Sequence, residues 1–378
     1  MKDTPRKLLQ LASPIVGDKE KLALSAVIDS GWLTMGERVK AFERAFAQLH
    51  GAEEAVAVNS CTAALHLSLL ALDIGPGDEV LVPSLTFVAT VNVILYVGAV
   101  PVFVDIEDIT RPHIALEDAR AKLTRNTRAA IVMHYGGYTV DLAAWRAFAD
   151  DHGIALVEDA AHAPAMKGVG TSSDASAFSF FTNKNMTTAE GGMVLARETA
   201  ALKQVRLMRS HGMTTNTIDR YRGHAHDYDV QCLGYNYRLD ELRAAVGLVQ
   251  LAHLHEWNLR RRALSDHYRR ALTKHIPSVI VPFSGEDDTS GHLMPVLLPS
   301  KLNRSRAMDQ LRSRGIQTSV HYPAAHRFSY YRSRYPEISL RKTEEFAARV
   351  LTLPLHPALT PDDIDTVVLA LREIVYGI

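Results

Sequence analysis

The sequence predicts an α/β fold: a large domain in which a mostly parallel mixed sheet lies between helices, followed by a smaller α+β domain. Three observations lead there. From about residue 51 to 201, short β-branched apolar runs alternate with stretches whose apolar residues recur at helical spacing, the signature of parallel strands covered on both faces. At 378 residues the chain exceeds one ordinary domain. Beyond about residue 255, that alternation gives way to two short extended runs among three helices.

Taken in order, an N-terminal arm over residues 1–20 leads into the large domain, 1–255. Strands are expected over 55–58, 79–83, 100–105, 129–134, 154–158, 175–181 and 193–196, where β-branched and apolar residues run together. Helices are expected over 63–72, 89–97, 142–152 and 200–210. An Ala-, Leu- and Arg-rich helical stretch over 239–272, broken near His255, Glu256 and Trp257, carries the chain into the small domain, 256–378. There, 292–298 and 318–322 read as extended, 304–314, 343–350 and 361–376 as helical, and the Asp-Asp-Thr-Ser-Gly run at 287–291 as a polar loop. No internal repeat or low-complexity tract interrupts this order.

Composition excludes several classes of function. Lys plus Arg and Asp plus Glu number 42 each, and the net charge is zero, so nothing electrostatic points to nucleic acid or an anionic membrane as partner. Hydrophobic residues at 47% and charged residues at 22% fit a soluble globular enzyme. Cys61 and Cys232 are too few for a disulfide framework and lack metal-ligand spacing. Residues 1–21 lack a signal-type apolar core, and the longest apolar run, around 93–104, is cut by Gly98 and Pro101. The expectation is a cytoplasmic protein with reduced thiols.

Ligands of such sheets gather at the carboxyl ends of strands, and three strand exits carry polar residues that make sense together. Ser60, Cys61, Thr62 and Ala63 open a helix, a place that binds phosphate through free N–H groups or is simply capped by a hydroxyl. Asp159 ends an apolar strand, and His162 follows three residues on. The carboxylate suits a protonated pyridine nitrogen, and the imidazole suits stacking or donation to a ring oxygen; an N-cap with a half-buried histidine is the plainer alternative. Phe87 follows a third strand as a stacking ring or a core residue. Between a buried-type strand and Glu190-Gly191-Gly192 stands Lys184, five residues after Ser179, in a segment that no strand or helix pattern requires. It reads as an amine able to form a Schiff base with a carbonyl cofactor, against a solvated surface lysine.

In this order, with Ser30-Gly31-Trp32-Leu33-Thr34-Met35-Gly36, Thr62-Ala63-Ala64-Leu65-His66, Gly75-Pro76-Gly77-Asp78-Glu79-Val80, Glu158-Asp159-Ala160-Ala161-His162-Ala163, Gly234-Tyr235-Asn236-Tyr237-Arg238 and Leu353-Pro354-Leu355, these motifs resemble the DegT/DnrJ/EryC1/StrS sugar aminotransferases over nearly the whole chain. That family consists of pyridoxal 5'-phosphate enzymes of fold type I, the aspartate-aminotransferase-like fold. The resemblance implies that Lys184 anchors the cofactor, Asp159 faces its ring nitrogen, His162 lies beside the ring where many members have glutamine, and Phe87 stacks on it. It implies a phosphate cup of Thr62, Ala63 and Ser179, completed by Asn236 of a second subunit, hence a homodimer with shared sites.

Lysine at 184, where dehydratase members carry histidine, favours amino transfer. The amino group would pass from glutamate or glutamine, by way of the pyridoxamine 5'-phosphate form, to a keto sugar in a ping-pong cycle. The acceptor expected is a nucleotide-diphosphate 3- or 4-keto sugar. Arg222, Arg238, His321 and His326 are candidates to offset its charge, and the 319–326 stretch is similar to that of an enzyme making a 4-amino-arabinose nucleotide. Cys61 departs from the frequent glycine or alanine, 165–173 is shorter than the usual hairpin, and 209–227 is longer and expected at the substrate entrance. Competing readings are a keto-inositol aminotransferase, a regulator that keeps the cofactor without turnover, and a zinc site of His211, His224 and His226. The spacing of Gly168 and Gly170 does not support a dinucleotide loop.

Overall fold

A computed structural model describes residues 8–214, 228–283, 285 and 287–377. The helices α1 (Asp18–Ser30) and α2 (Glu37–His50) precede the first strand. Neither was expected from the sequence. In α2 the buried residues are Val39, Phe42, Glu43, Phe46 and Ala47, one face of a 3.6-residue period. That face packs on a long later helix, where Gly247 leaves the space Phe42 fills: a Cβ there would stand 2.8 Å from its ring.

Seven strands form one sheet: β1 (Val56–Val58), β2 (Glu79–Pro83), β3 (Val100–Val104), then, after a small hairpin of β4 (Ile106–Asp108) and β5 (Arg111–Ile114), β6 (Thr127–Met133), β7 (Ala155–Asp159), β8 (Ala175–Ser179) and β9 (Gly192–Ala196). Their spatial order is β1-β9-β8-β7-β6-β2-β3. Neighbours from β8 to β3 run parallel, and β9 is antiparallel to both β8 and β1. All seven coincide with the expected strands to within a few residues; only the β4–β5 hairpin was unforeseen. The faces are covered by α3 (Cys61–Ala71), α4 (Val88–Tyr96), α5 (Leu116–Ala121), α6 (Leu142–His152) and α7 (Thr199–Met208), and the central strands β6, β7 and β8 are buried apart from Arg128 and Ala155 near the starts of β6 and β7, as near-continuous apolar runs require.

The helical stretch expected to break near His255 does not break: α8 runs from Glu241 to His275 as 35 residues. Its start is secured twice. Asp240 Oδ1 accepts from Arg243 N, and the Glu241 carboxylate accepts the N–H groups of Gly36, Arg38 and Val39, supplying the N-terminus of α2 with the side-chain cap that its own N-cap, Gly36, lacks. The other end of α8 packs Leu264, Tyr268 and Leu272 into a second core. That core contains β10 (Met294–Leu297) and the antiparallel β11 (Val350–Leu353), together with α9 (Arg304–Ser313) and α12 (Pro361–Tyr376). The short α10 (Ser329–Arg334) and α11 (Arg341–Arg349) complete the chain's twelve α-helices among the described residues.

Two further expectations are corrected. Residues 318–322 form no strand; Ser319 pairs with Thr352 as an isolated bridge. The 287–291 run is solvent-facing only in its first half. Ser290 is fully buried, donating from Oγ to the His162 carbonyl and from N to Gly137, so its hydroxyl pins the turn after β7 instead of meeting water.

Candidate active site

At the carboxyl ends of β7 and β8 lies a cavity of about 340 Å³ whose wall includes Ser60, Thr62, Phe87, Asp159, His162, Ser179, Lys184, His321 and Tyr322. Residues as far apart in sequence as Ser60 and Tyr322 meet here because parallel strands deliver their exits to one edge of the sheet. The structure thus brings together six of the cofactor-site residues expected from sequence: Thr62, Phe87, Asp159, His162, Ser179 and Lys184.

Lys184 sits in the loop that joins β8 to β9. The loop is closed at its base by Phe180 N to Gly191 O and Thr188 N to Phe180 O, both 2.9 Å. Next to the lysine, Asn185 is buried. Its Nδ2 donates to Asn258 Oδ1 of α8 at 2.8 Å and to Ser290 O at 2.9 Å, and its Oδ1 accepts from His292 Nδ1 at 2.8 Å. Burial pushes the Lys184 amine below the ordinary lysine range, with Asp159 and Cys61 pulling the other way. A buried amine of lowered basicity is the form that attacks carbonyls and carries protons.

The Asp159 carboxylate is held at both oxygens, Oδ1 by Ala161 N at 3.1 Å and Oδ2 by Thr90 Oγ1 at 2.6 Å. Behind Thr90, Thr86 Oγ1 stands at 2.8 Å. Because an ionised carboxylate only accepts, Thr90 must donate to it and accept from Thr86. On the opposite face of β7, Glu158 is buried among His134 Nε2 at 2.7 Å, Ser173 Oγ at 2.5 Å and Ser176 Oγ at 2.8 Å. Burial alone would raise this carboxyl, but those donors, His134 first, hold it below its usual range.

His162 is neutral, pushed well below the imidazole range by burial first and then by Lys184 and neighbouring histidines. Its Nδ1 accepts Gly136 N–H at 3.3 Å and its Nε2 meets Tyr322 Oη at 3.0 Å. With both nitrogens engaged, it has its face to offer, not a donor. One face lies on His292, centroids 4.2 Å apart.

The N-terminus of α3 closes the other end of the cavity. Ser60 caps it by accepting Ala63 N–H at 3.1 Å. Ala63, expected in the phosphate cup, is itself buried, and its N–H is donated to that cap. Capping and phosphate binding are therefore not alternatives: the cap uses one N–H and the wall keeps Ser60, Cys61 and Thr62. Gly192, the first residue of β9, lets this turn come close, since a Cβ there would lie 2.5 Å from the Ser60 carbonyl carbon and 2.7 Å from Cys61 N. A helix N-terminus, a carboxylate and a buried amine around one slot, with Phe87 half-exposed beside it, fit a phosphorylated pyridine aldehyde.

A model of the DegT/DnrJ/EryC1/StrS aminotransferase family matches residues 14–372. The chain belongs to that family. Solved relatives share its fold throughout. TlmJ, an aminotransferase from Streptoalloteichus hindustanus, is 33% identical over 98% of this chain and 99% of its own, with a TM-score of 0.90. PseC from Helicobacter pylori, an aminotransferase involved in the biosynthesis of pseudoaminic acid, is 27% identical over 98% and 100%, with a TM-score of 0.91. NtdA from Bacillus subtilis, solved with bound pyridoxamine phosphate, is 27% identical over 95% and 81%, with a TM-score of 0.87.

In this DegT/DnrJ/EryC1/StrS aminotransferase the remaining expected residues are dispersed. Asn236 is exposed and does not line its own chain's cavity. Arg238 reaches Ser210 Oγ at 3.3 Å and also stands outside it. His326 is corrected as a substrate residue within this chain: it is buried, with Nδ1 on Ser84 Oγ at 2.6 Å and Nε2 on Glu344 Oε1 at 3.1 Å. His321 does line the cavity, Nδ1 on Thr352 Oγ1 at 2.9 Å, its pKa lowered to about 4 by burial and then by Lys184. Arg222, His224 and His226, and with them the 215–227 part of the expected entrance, lie outside the described residues. Sequence reasoning passed over Tyr322 and Thr90. The only signal for Thr90 was its place four residues after Thr86, the spacing of one helical turn, at the start of α4.

Proposed function

We propose that the protein transfers an amino group from glutamate or glutamine to a keto sugar, a nucleotide-diphosphate 3- or 4-keto deoxysugar, using pyridoxal 5'-phosphate. The observation that carries this reading is the Lys184 amine, lowered by burial, in one cavity with Asp159 and the N-terminus of α3. Family membership and the pyridoxamine phosphate bound by NtdA support it. Lys184 would hold the cofactor covalently and Asp159 its ring nitrogen. Thr62, Ser179 and the first N–H groups of α3 would take the phosphate, and Phe87 and His162 the faces of the ring. When bound, the cofactor supplies an electron sink for charge on the carbon that bears nitrogen.

The chain's own part is proton handling and exclusion of water. Lys184 Nζ takes a proton from the donor's α-carbon and returns one to the acceptor's carbon in the second half of the cycle. Asp159, fixed by Thr90 and Ala161, keeps one orientation throughout. Asn236 and Arg238, turned away from their own cavity, would serve that of a second copy, which makes the active species a homodimer. Of the three side chains expected to offset a diphosphate that lie among the described residues, Arg238, His321 and His326, only His321 lines the cavity of its own chain; the second copy would supply the balancing positive charge.

The test is direct. Purified protein should show a visible cofactor band that is lost in Lys184→Ala together with activity, a fall of several orders of magnitude. Persistence of the band in that variant would refute the assignment. Glutamate and glutamine half-reactions followed by a panel of keto sugars and keto-inositols then identify the acceptor. Regeneration by a keto-inositol alone would replace the sugar reading, and regeneration by none would indicate a cofactor-keeping regulator.

A further inference from the structure

Tyr322 enters the cavity from the segment before α10, next in sequence to the candidate His321 but given no role of its own by the sequence. Its hydrogen-bond direction is fixed by a backbone amide. Gly136 N–H can only donate, so His162 Nδ1 accepts. The neutral imidazole then carries its proton on Nε2 and gives it to Tyr322 Oη at 3.0 Å. The phenol cannot return its own proton along that bond. Among the described residues Oη has no other hydrogen-bond partner, and the side chain lines the same cavity as Lys184 and Asp159. Burial, and after it the Asp159 charge, raises the phenol far above its usual range, so the proton stays available for donation.

The sheet order says where that donor points relative to the rest of the site. Ser179 leaves β8, and the Ser60–Cys61 peptide packs on Gly192 of β9, which puts the phosphate-type end on the β8–β9–β1 side of Asp159. His162 is tied to Gly136 in the turn after β6, on the opposite side of β7. In a pyridoxal ring the phosphate arm and the hydroxyl oxygen occupy opposite edges, flanking the carbon that takes the amine. A ring with its nitrogen at Asp159 and its phosphate at α3 therefore turns its oxygen toward His162 and Tyr322.

We infer that Tyr322, oriented by His162 and Gly136, donates its phenolic hydrogen bond to the ring oxygen of the bound cofactor. This rests on the pyridoxal-phosphate reading above and assigns to Tyr322 the donation that the sequence had offered to His162. His162 is thereby a positioning residue, acting on the oxygen through Tyr322 and on the ring through its face. A donor at that oxygen stabilises its anion, so losing the donor keeps the linked lysine nitrogen protonated to higher pH.

The experiment titrates the visible band of the holoenzyme with pH in the wild type and in Tyr322→Phe, with thermal melts to check folding. The expected result is a midpoint raised by about one pH unit, the size of one hydrogen bond to a charged oxygen, together with weaker cofactor binding and an unchanged melt of the cofactor-free protein. An unchanged midpoint overturns the inference, and an unchanged midpoint with a raised KM for the ketone assigns the phenol to the substrate instead. Should Tyr322→Phe not fold, the same titration in His162→Phe, which frees the phenol from its fixed direction, must still move the midpoint. If the wild type shows no band that depends on Lys184, it is the cofactor reading that fails, and the two failures are distinguishable.

Discussion

Asp159 shows how a single carboxylate is prepared by groups that never meet the substrate. Its Oδ2 takes a 2.6 Å bond from Thr90, whose own oxygen is filled by Thr86. The Thr90 proton is committed to the carboxylate, while the Thr86 hydroxyl stands 2.8 Å from Thr90 Oγ1 and 3.2 Å from Met133 Sδ. On the proposed assignment, Asp159→Asn removes the charged partner of the ring nitrogen and should slow each half-reaction on the order of a hundredfold or more. Thr90→Val should cost about tenfold in the same assay, the equivalent of one buried hydrogen bond, and Thr90→Ser should restore most of it. Equal rates for Val and Ser at this position would show that the hydroxyl is irrelevant.

At the scale of elements, the phosphate-type end depends on a close contact between β9 and the start of α3. Gly192→Ala would place a methyl within 2.5 Å of the Ser60 carbonyl carbon, so the helix end must shift. Cofactor affinity should fall by roughly tenfold and the melting temperature should drop, with a destabilisation of about 1–3 kcal/mol as for other overpacked sites. Titration with the cofactor and a thermal melt measure the two effects.

The same scale explains what the sequence revealed. The seven strands were legible because each is a buried apolar run with a polar exit, and Lys184, Asp159, Phe87 and Thr62 stand at or near such exits. The helices α1 and α2 were not foreseen; the side chain that caps α2 is Glu241, some 200 positions away, its own N-cap being Gly36. The supposed break in α8 was misread because His255 and Glu256 are merely its exposed face. Tyr322 was hidden for a related reason: only the fold reveals that His162 directs it, and His326, equally conspicuous in sequence, is used up by Ser84 and Glu344.

Across the whole molecule, buried neutral histidines set the acid limit of stability. His113 donates through Nε2 to the Tyr138 carbonyl at 3.0 Å and is lowered to about 3, mainly by burial; His162 and His292 are lowered in the same direction. The unfolded chain binds protons at the ordinary imidazole value while the native state does not. Their contribution is therefore complete above about pH 6.5 and is lost as pH falls from there toward 3. Urea midpoints should decline steadily between pH 7 and pH 4, and His113→Asn should flatten part of that slope. A midpoint independent of pH over this interval would contradict the assignment.

The Asn185 fastening has a consequence for changing what the enzyme accepts. Asn185 ties the reactive loop at once to Asn258 on α8 and to Ser290 and His292 before β10. Levering the two cores apart to admit a bulkier ketone would drag the amine out of register with Asp159. Selection for new acceptors is thereby steered away from that seam and toward walls that Asn185 does not anchor, such as the one bearing Phe87, where side chains are free to vary while the lysine stays in place.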